Sequence, residues 1–279
     1  MRIVIKALCL IVFMLQAGFV QAQKITWIVI DFAPYYILAD DLAGQGRDEL
    51  LIKLLEQYMP EHQFDYKLFP ASRAVHELAK QNSNYCMISL YKTPKRSRYI
   101  AFTENHSTTG LSTSAALTKE TAKSLALGND AIDFDALMKQ HKLTVGVAAN
   151  RSFGTEIDAT LASLDQQQLM IRPGRDTLES LTVMLLRKRV DIILGYPSEH
   201  HYHKVKLDKQ NRLTQVRLQL TSQLTKGYSG CNNNELGRQH IAAIDKALQQ
   251  VHQDELYRLA MSRWLPQQLR PKLAGIFNH

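Results

Sequence analysis

The densest group of chemically able side chains is Glu199-His200-His201-Tyr202-His203. On a helix, His200 and His203 share a face, and with Glu199 they offer the donor types a transition metal takes. The same residues read as a polar helix after a buried strand, and no distant Cys, His or Asp declares itself as a further ligand. No metal and no cofactor is expected. GYSGC (227–231) has the look of a nucleophile elbow, but its second glycine falls one residue early for G-x-S-x-G. GQGRDE (44–49) has two glycines where a dinucleotide fingerprint needs three. No phosphate-cradling loop occurs, and the carboxylates are scattered, with no evident acid/base couple.

The elements that must position these residues alternate. KITWIVI (24–30) reads as a buried strand leading to the turn Asp31-Phe32-Ala33-Pro34. Leu50, Leu51, Leu54, Leu55 and Tyr58 follow helical spacing, and Pro60 stops that helix. FDYKLF (64–69) alternates as a strand, Ser72 is placed to cap a helix carrying Val75 and Leu78, and CMISL (86–90) is a second buried strand. Thr93-Pro94 has the form of an N-cap followed by proline at the first helical position. Strands at 143–147, 169–171 and 190–194 then alternate with helices over 152–164 and 177–188, and 213–220 alternates loosely. Two helices close the chain. Ile241, Ile244, Leu248 and Val251 line the first, and Leu256, Leu259 and Trp264 the second. This order is α/β architecture in two similar units, each with a mainly parallel sheet. Residues 103–142 read as the least regular stretch, with a boundary between units near Phe102–Thr109.

The 279 residues are 45% hydrophobic and 22% charged, which excludes a disordered tail, a collagenous repeat and a disulfide miniprotein. Residues 1–22 read as a secretory signal: Arg2 and Lys6, an apolar run from Ala7 to Phe19, then small residues up to Ala22. Cys9 sits within the apolar run, not after the cleavage point, so no lipid anchor and no direct membrane anchor is expected. Two of the eight net positive charges belong to that signal. The remainder is mild, and KTPKRSR (92–98) and LLRKR (185–189) read as solvated surfaces, so no nucleic acid is expected as a partner. Cys86 and Cys231 remain after cleavage, without C-x-x-C spacing. Whether they pair depends on whether the fold brings them together.

CMISLYKTPKRSRYIAF (86–102) resembles the amino-acid-type periplasmic solute-binding proteins of family 3. Members have a buried strand, a small hydroxyl residue, then T-x-[ED]-R and an apolar pair with Phe. Asp31–Tyr35, LTVGVAANRSFG (143–154), RVDIILGYP (189–197) and the stretch from YSGCNNN to SRWLP resemble further family segments in the family order. The resemblance implies a two-lobed periplasmic binding protein type II fold with its ligand cleft between the lobes. Lobe one would comprise 23–105 plus 226–279 and lobe two 106–225. It also implies a monomeric, periplasmic protein that serves a membrane transporter, as in an ABC-type importer, or a sensor receptor, with a small-molecule solute as ligand.

Carried over by residue, Arg96 matches the arginine that grips a ligand carboxylate, the alternative being a surface pair with a nearby acid. Ser152 matches a hydroxyl at a helix start, the alternative being a plain N-cap. Phe32 and Tyr35 are stacking candidates, Arg151 is a further cation, and Arg73 faces either cleft or solvent. Tyr91 stands where a Ser or Thr usually helps hold the carboxylate. Tyr196 stands where an Asp usually holds an ammonium. A phenol cannot replace a carboxylate as partner for a buried cation, so an acidic or aromatic solute is expected over a plain α-amino acid. The fold makes the strands of Cys86 and Cys231 neighbours, which implies a disulfide, against two buried thiols. An enzyme resembling the cyclohexadienyl dehydratases is the competing reading, with Glu104 or Asp31 as the acid or base.

Overall fold

The computed structural model describes residues 23–275 except 40, 81 and 175; the signal segment lies outside them. Strands β1 (Gln23–Ile30), β2 (His62–Phe69), β3 (Tyr85–Leu90), β4 (Ile100–Leu111) and β10 (Leu224–Asn232) form the first sheet, in the order β2-β1-β3-β10-β4. β1 runs parallel to β2 and β3, whereas β10 is antiparallel to β3 and β4. The second sheet is β7-β6-β8-β5-β9, from β5 (Ser114–Thr118), β6 (Val145–Ala148), β7 (Leu169–Arg172), β8 (Ile192–Gly195) and β9 (Leu213–Arg217). It repeats the scheme: β6 is parallel to β7 and β8, and β5 is antiparallel to β8 and β9.

Alternation along each inner strand sends neighbouring side chains to opposite layers. Trp27 packs with helices α1 (Arg47–Tyr58), α8 (Glu235–Val251) and α9 (Glu255–Ser262) through Leu51, Leu55, Ile244, Leu248 and Tyr257. Ile28 faces the other way, onto Ala74 and Leu78 of α2 (Ala71–Leu78). In the second sheet Ile192 and Leu194 meet Phe134 and Ile157, from α4 (Phe134–Gln140) and α5 (Thr155–Ser163). Ile193 instead meets Leu181 and Leu185 of α6 (Thr177–Leu186). Buried strands with covered faces account for the largely apolar runs at 86–90 and 190–194, broken only by Ser89 and Asp191.

The chain passes between sheets twice, at 112–113 and 218–223. The two passages are hydrogen-bonded together, the Ser112 N–H donating to Gln223 O at 3.1 Å and the Ser112 hydroxyl to Ser222 O at 2.6 Å. Cys86 and Cys231 lie opposite each other on β3 and β10 and are joined by a disulfide.

Several local expectations are corrected. β4 runs straight through the supposed boundary at 102–109, because Ser107, Thr108 and Thr109 are buried there. Most of the rest of that stretch is also regular, with β5, α3 (Lys119–Ser124) and α4. Helix α2 starts at Ala71 behind Pro70, with no side-chain cap, so Ser72 does not cap it. After Thr93-Pro94 there is a single 3₁₀ turn, Arg96–Arg98, whose first N–H the Thr93 hydroxyl accepts at 3.3 Å. β4 begins two residues later, which leaves no length for a helix. On α9 the buried residues are Tyr257, Ala260 and Met261, while Leu256 and Leu259 face solvent.

Candidate functional site

Between the two sheets lies a cavity of about 190 Å³ walled by both lobes. Its position, at the carboxyl ends of β1, β3, β6 and β8, is where open α/β sheets place their sites. Phe32, Tyr35, Tyr91 and Arg96 line it from the first lobe and Arg151, Ser152 and Tyr196 from the second. The lobes touch here. The Tyr91 and Tyr196 hydroxyls are 2.8 Å apart, Tyr91 also bonds the Thr225 hydroxyl at 2.8 Å, and the Tyr35 and Ser198 hydroxyls lie 3.4 Å apart. Burial, then the neighbouring Tyr91, pushes the Tyr196 phenol far above its ordinary pKa, and burial does the same for Tyr35. Both are neutral hydrogen-bonding groups at any physiological pH.

The first lobe holds two guanidinium groups of different kinds. Arg47, at the start of α1, is buried with Asp48 at 2.7 Å, donates to the Ser89 hydroxyl at 2.9 Å and lies over the Tyr35 ring. Burial opposes its charge, but Asp48 outweighs burial and its pKa rises. Ser89, in turn, bonds the Thr108 hydroxyl at 3.2 Å and adopts a left-handed φ of 62°. Such backbone outliers cluster where a site over-determines its geometry. Arg96 differs: it donates to Tyr91 O at 3.2 Å, and among the described residues no carboxylate pairs with it. Burial draws its pKa down, with Tyr99 and Asp158 pulling the other way from beyond contact distance. A partly buried guanidinium with no carboxylate in contact has room for a ligand's anion.

The second lobe presents Arg151 just after β6, buried against Glu199 at the start of α7 (Pro197–Leu207). Burial works against both charges, yet each stabilises the other: Arg151 is raised and Glu199 lowered. The rings of Phe32, Phe153 and Tyr196 stand within 5.2 Å of the guanidinium carbon. Glu199 also accepts the Tyr196 N–H at 2.9 Å, which fixes the turn leaving β8. Ser152 lines the cavity, but its expected place at a helix start is corrected. The left-handed φ of 97° at Gly154 delays α5 to Thr155, and Asp158 takes both the Ser152 hydroxyl at 2.5 Å and the Phe153 N–H at 2.8 Å. Those donors are spent within the chain, so they do not form a free anion hole.

Arg73 lies outside the cavity. Its largely exposed side chain pairs with Glu77 one helical turn on, while its neighbours Ala71 and Ser72 do line the wall. Glu104 is 85% exposed against Lys92, and Asp31 lines a separate crevice with His203. Neither reaches the cavity as an acid or base. The Glu199–His203 cluster is divided among other tasks, with Glu199 on Arg151 and the His200 ring bonded to Ser114 O at 3.2 Å. Among the described residues no group of three or more His, Cys, Asp or Glu could hold a metal. Sequence reasoning missed Arg47, Ser89, Thr108, Arg172 and Lys226 as cavity residues, and Glu199 as the partner of Arg151. Only the Gly46-Arg47-Asp48 helix start carried a local signal.

No protein-family model matches the chain, and no curated protein matches it by sequence. Solved structures do. A substrate-binding protein of an ABC uptake transporter from Streptococcus pneumoniae, solved with bound histidine, superposes with a TM-score of 0.67 at 15% identity, over 86% of this chain and 92% of its own. A periplasmic binding protein of Salmonella typhimurium, described as highly specific for arginine, gives 0.62 at 16% identity, over 88% and 100%. A histidine kinase sensor domain with similarity to periplasmic binding proteins gives 0.65 at 14% identity, over 88% and 97%. The fold is therefore the two-lobed periplasmic binding protein type II architecture, in agreement with the resemblance in the sequence.

Proposed function

We propose that the chain is an exported, periplasmic solute-binding protein. It closes two lobes, 23–111 with 224–275 and 114–217, over a small acidic or aromatic solute, and the closed form serves a membrane importer or sensor. The observation that carries this reading is Arg96, a cavity guanidinium with no carboxylate partner among the described residues. Around it Phe32, Tyr35, Tyr91 and Tyr196 supply ring faces and phenol hydroxyls, and Arg151 and Ser152 complete the far wall. A free α-amino acid suits this cavity less well, because its ammonium group needs a carboxylate. Asp48 in the wall and Glu199 behind it are already held by Arg47 and Arg151, and Asp158 is held by Ser152 and the Phe153 N–H. Lobe closure over such a ligand is an ordinary hinge motion, and the paired passages at 112–113 and 218–223 are its natural axis.

The test is thermal unfolding against a panel of aliphatic acids, aromatic acids, amino acids and polyamines. A ligand present at a hundred times its Kd adds about 2.7 kcal/mol to the folded state. An acid should raise the Tm, and Arg96→Ala should abolish the rise without lowering the Tm of the free protein. A rise produced by amino acids or polyamines and by no acid refutes the proposal.

A further inference from the structure

The charges around the cavity do not balance. Five cationic side chains line it: Arg47, Arg96, Arg151, Arg172 and Lys226. Asp48 offsets Arg47, and Glu199, directly behind the wall, offsets Arg151. Arg96, Arg172 and Lys226 are left without a carboxylate partner among the described residues. They come from three places: Arg96 from the first lobe beyond β3, Arg172 from the end of β7 in the second, and Lys226 from β10 just past the second passage between lobes. Arg96 is half-buried while Arg172 and Lys226 are exposed, so water softens their repulsion; even so, closing the lobes on a neutral molecule gains nothing from these charges. Closing on an anion that spans the cleft turns that repulsion into two attractions.

We infer that the natural solute carries two acidic groups, one held by Arg96 on the first lobe and the other by Arg172 on the second, with Lys226 adding to the field. This rests on the solute-binding reading and narrows it to dianions. In a solute of this kind the second group does more than add affinity, because it ties the lobes together. A monoacid could occupy Arg96 and leave the cleft open.

The probes are α,ω-dicarboxylic acids of four to eight carbons, each beside the monoamide of the same acid, together with short-chain phosphate monoesters, all measured by titration calorimetry on the full mature chain. At least one diacid or phosphate ester should bind ten times or more tightly than its matched singly charged analogue, since one charge-assisted hydrogen bond is worth that factor or more. Which of the two series wins separates carboxylate from phosphate as the second group. Arg172→Gln, at an exposed position, should erase the preference for the diacid over its monoamide, while Arg96→Gln should weaken both. Equal binding of diacid and monoamide overturns the inference and leaves the solute-binding reading standing, as does a preference that survives Arg172→Gln. Failure of every acid, singly or doubly charged, overturns both.

Discussion

Breaking the bond between Cys86 and Cys231 tests how the first lobe is held together. The two residues are 145 apart in sequence yet directly opposed on β3 and β10, and both are fully buried. On the chain-entropy account, a loop of that length removes roughly 17 cal/mol/K from the unfolded ensemble, or about 5 kcal/mol at 25 °C. That is comparable to the whole net stability of many domains. The assay is urea unfolding followed by the fluorescence of Trp27, which is fully buried and pairs in register with Cys86 across β1 and β3. Oxidised protein is compared with protein reduced while unfolded, since burial shields the bond in the folded state. With a urea slope of about 3 kcal/mol/M, the midpoint should fall by about 1.7 M on reduction. A fall below about 0.3 M, under about 1 kcal/mol, would show that the reduced unfolded chain already keeps these strands close, and the loop argument would be refuted.

Two further outcomes follow from buried charge. His203 and His240 are almost wholly buried, and burial drives each down to about 4 from an ordinary value near 6.5. The unfolded chain therefore binds more protons, so stability is complete above about pH 6.5 and is lost as pH falls toward 4, by about 3 kcal/mol for each ring. Urea midpoints at pH 7 and pH 4.5 check this, and a midpoint that does not move would contradict it. Glu199→Gln keeps the hydrogen bond to the Tyr196 N–H but leaves Arg151 charged and unpaired, which should cost about 3–5 kcal/mol. The double variant Arg151→Met, Glu199→Gln should recover most of the loss, and additive losses in that cycle would show that the pair is not coupled.

Where packing is decided locally, the sequence showed the structure. The apolar runs at 86–90 and 190–194 are central strands, and the spacing of Ile244, Leu248 and Val251 is the buried stripe of α8. The polar run after Phe102 misled because its alternation is in hydroxyl residues: deep in the sheet Thr103 and Ser107 find β10 carbonyls 120 or more residues away, and Thr108 accepts from Ser89 of β3. In α9 the apolar Leu256 and Leu259 look like a core stripe but lie to the side of, and nearly opposite, the face that Tyr257, Ala260 and Met261 bury. The cavity wall was half legible. Aromatics and Arg96 came with family-like motifs, whereas Arg47 with Ser89, and Arg151 with Glu199, join residues 42 and 48 apart through side-chain geometry that no spacing reveals.

The place of β10 in the first sheet also sets an order of assembly. β3 and β4 are consecutive in the chain but do not pair; β10 sits between them and bonds to both. The second sheet draws all its strands from the contiguous stretch 114–217, so it has every strand it needs as soon as that stretch has been made. A chain emerging from its amino end can thus complete the inner domain first. The outer one waits with a gap between β3 and β4 until residue 232 arrives, and its sulfurs cannot find each other before Cys231 does. Long-range pairings of this kind form slowly. The half that begins first is the half that finishes last.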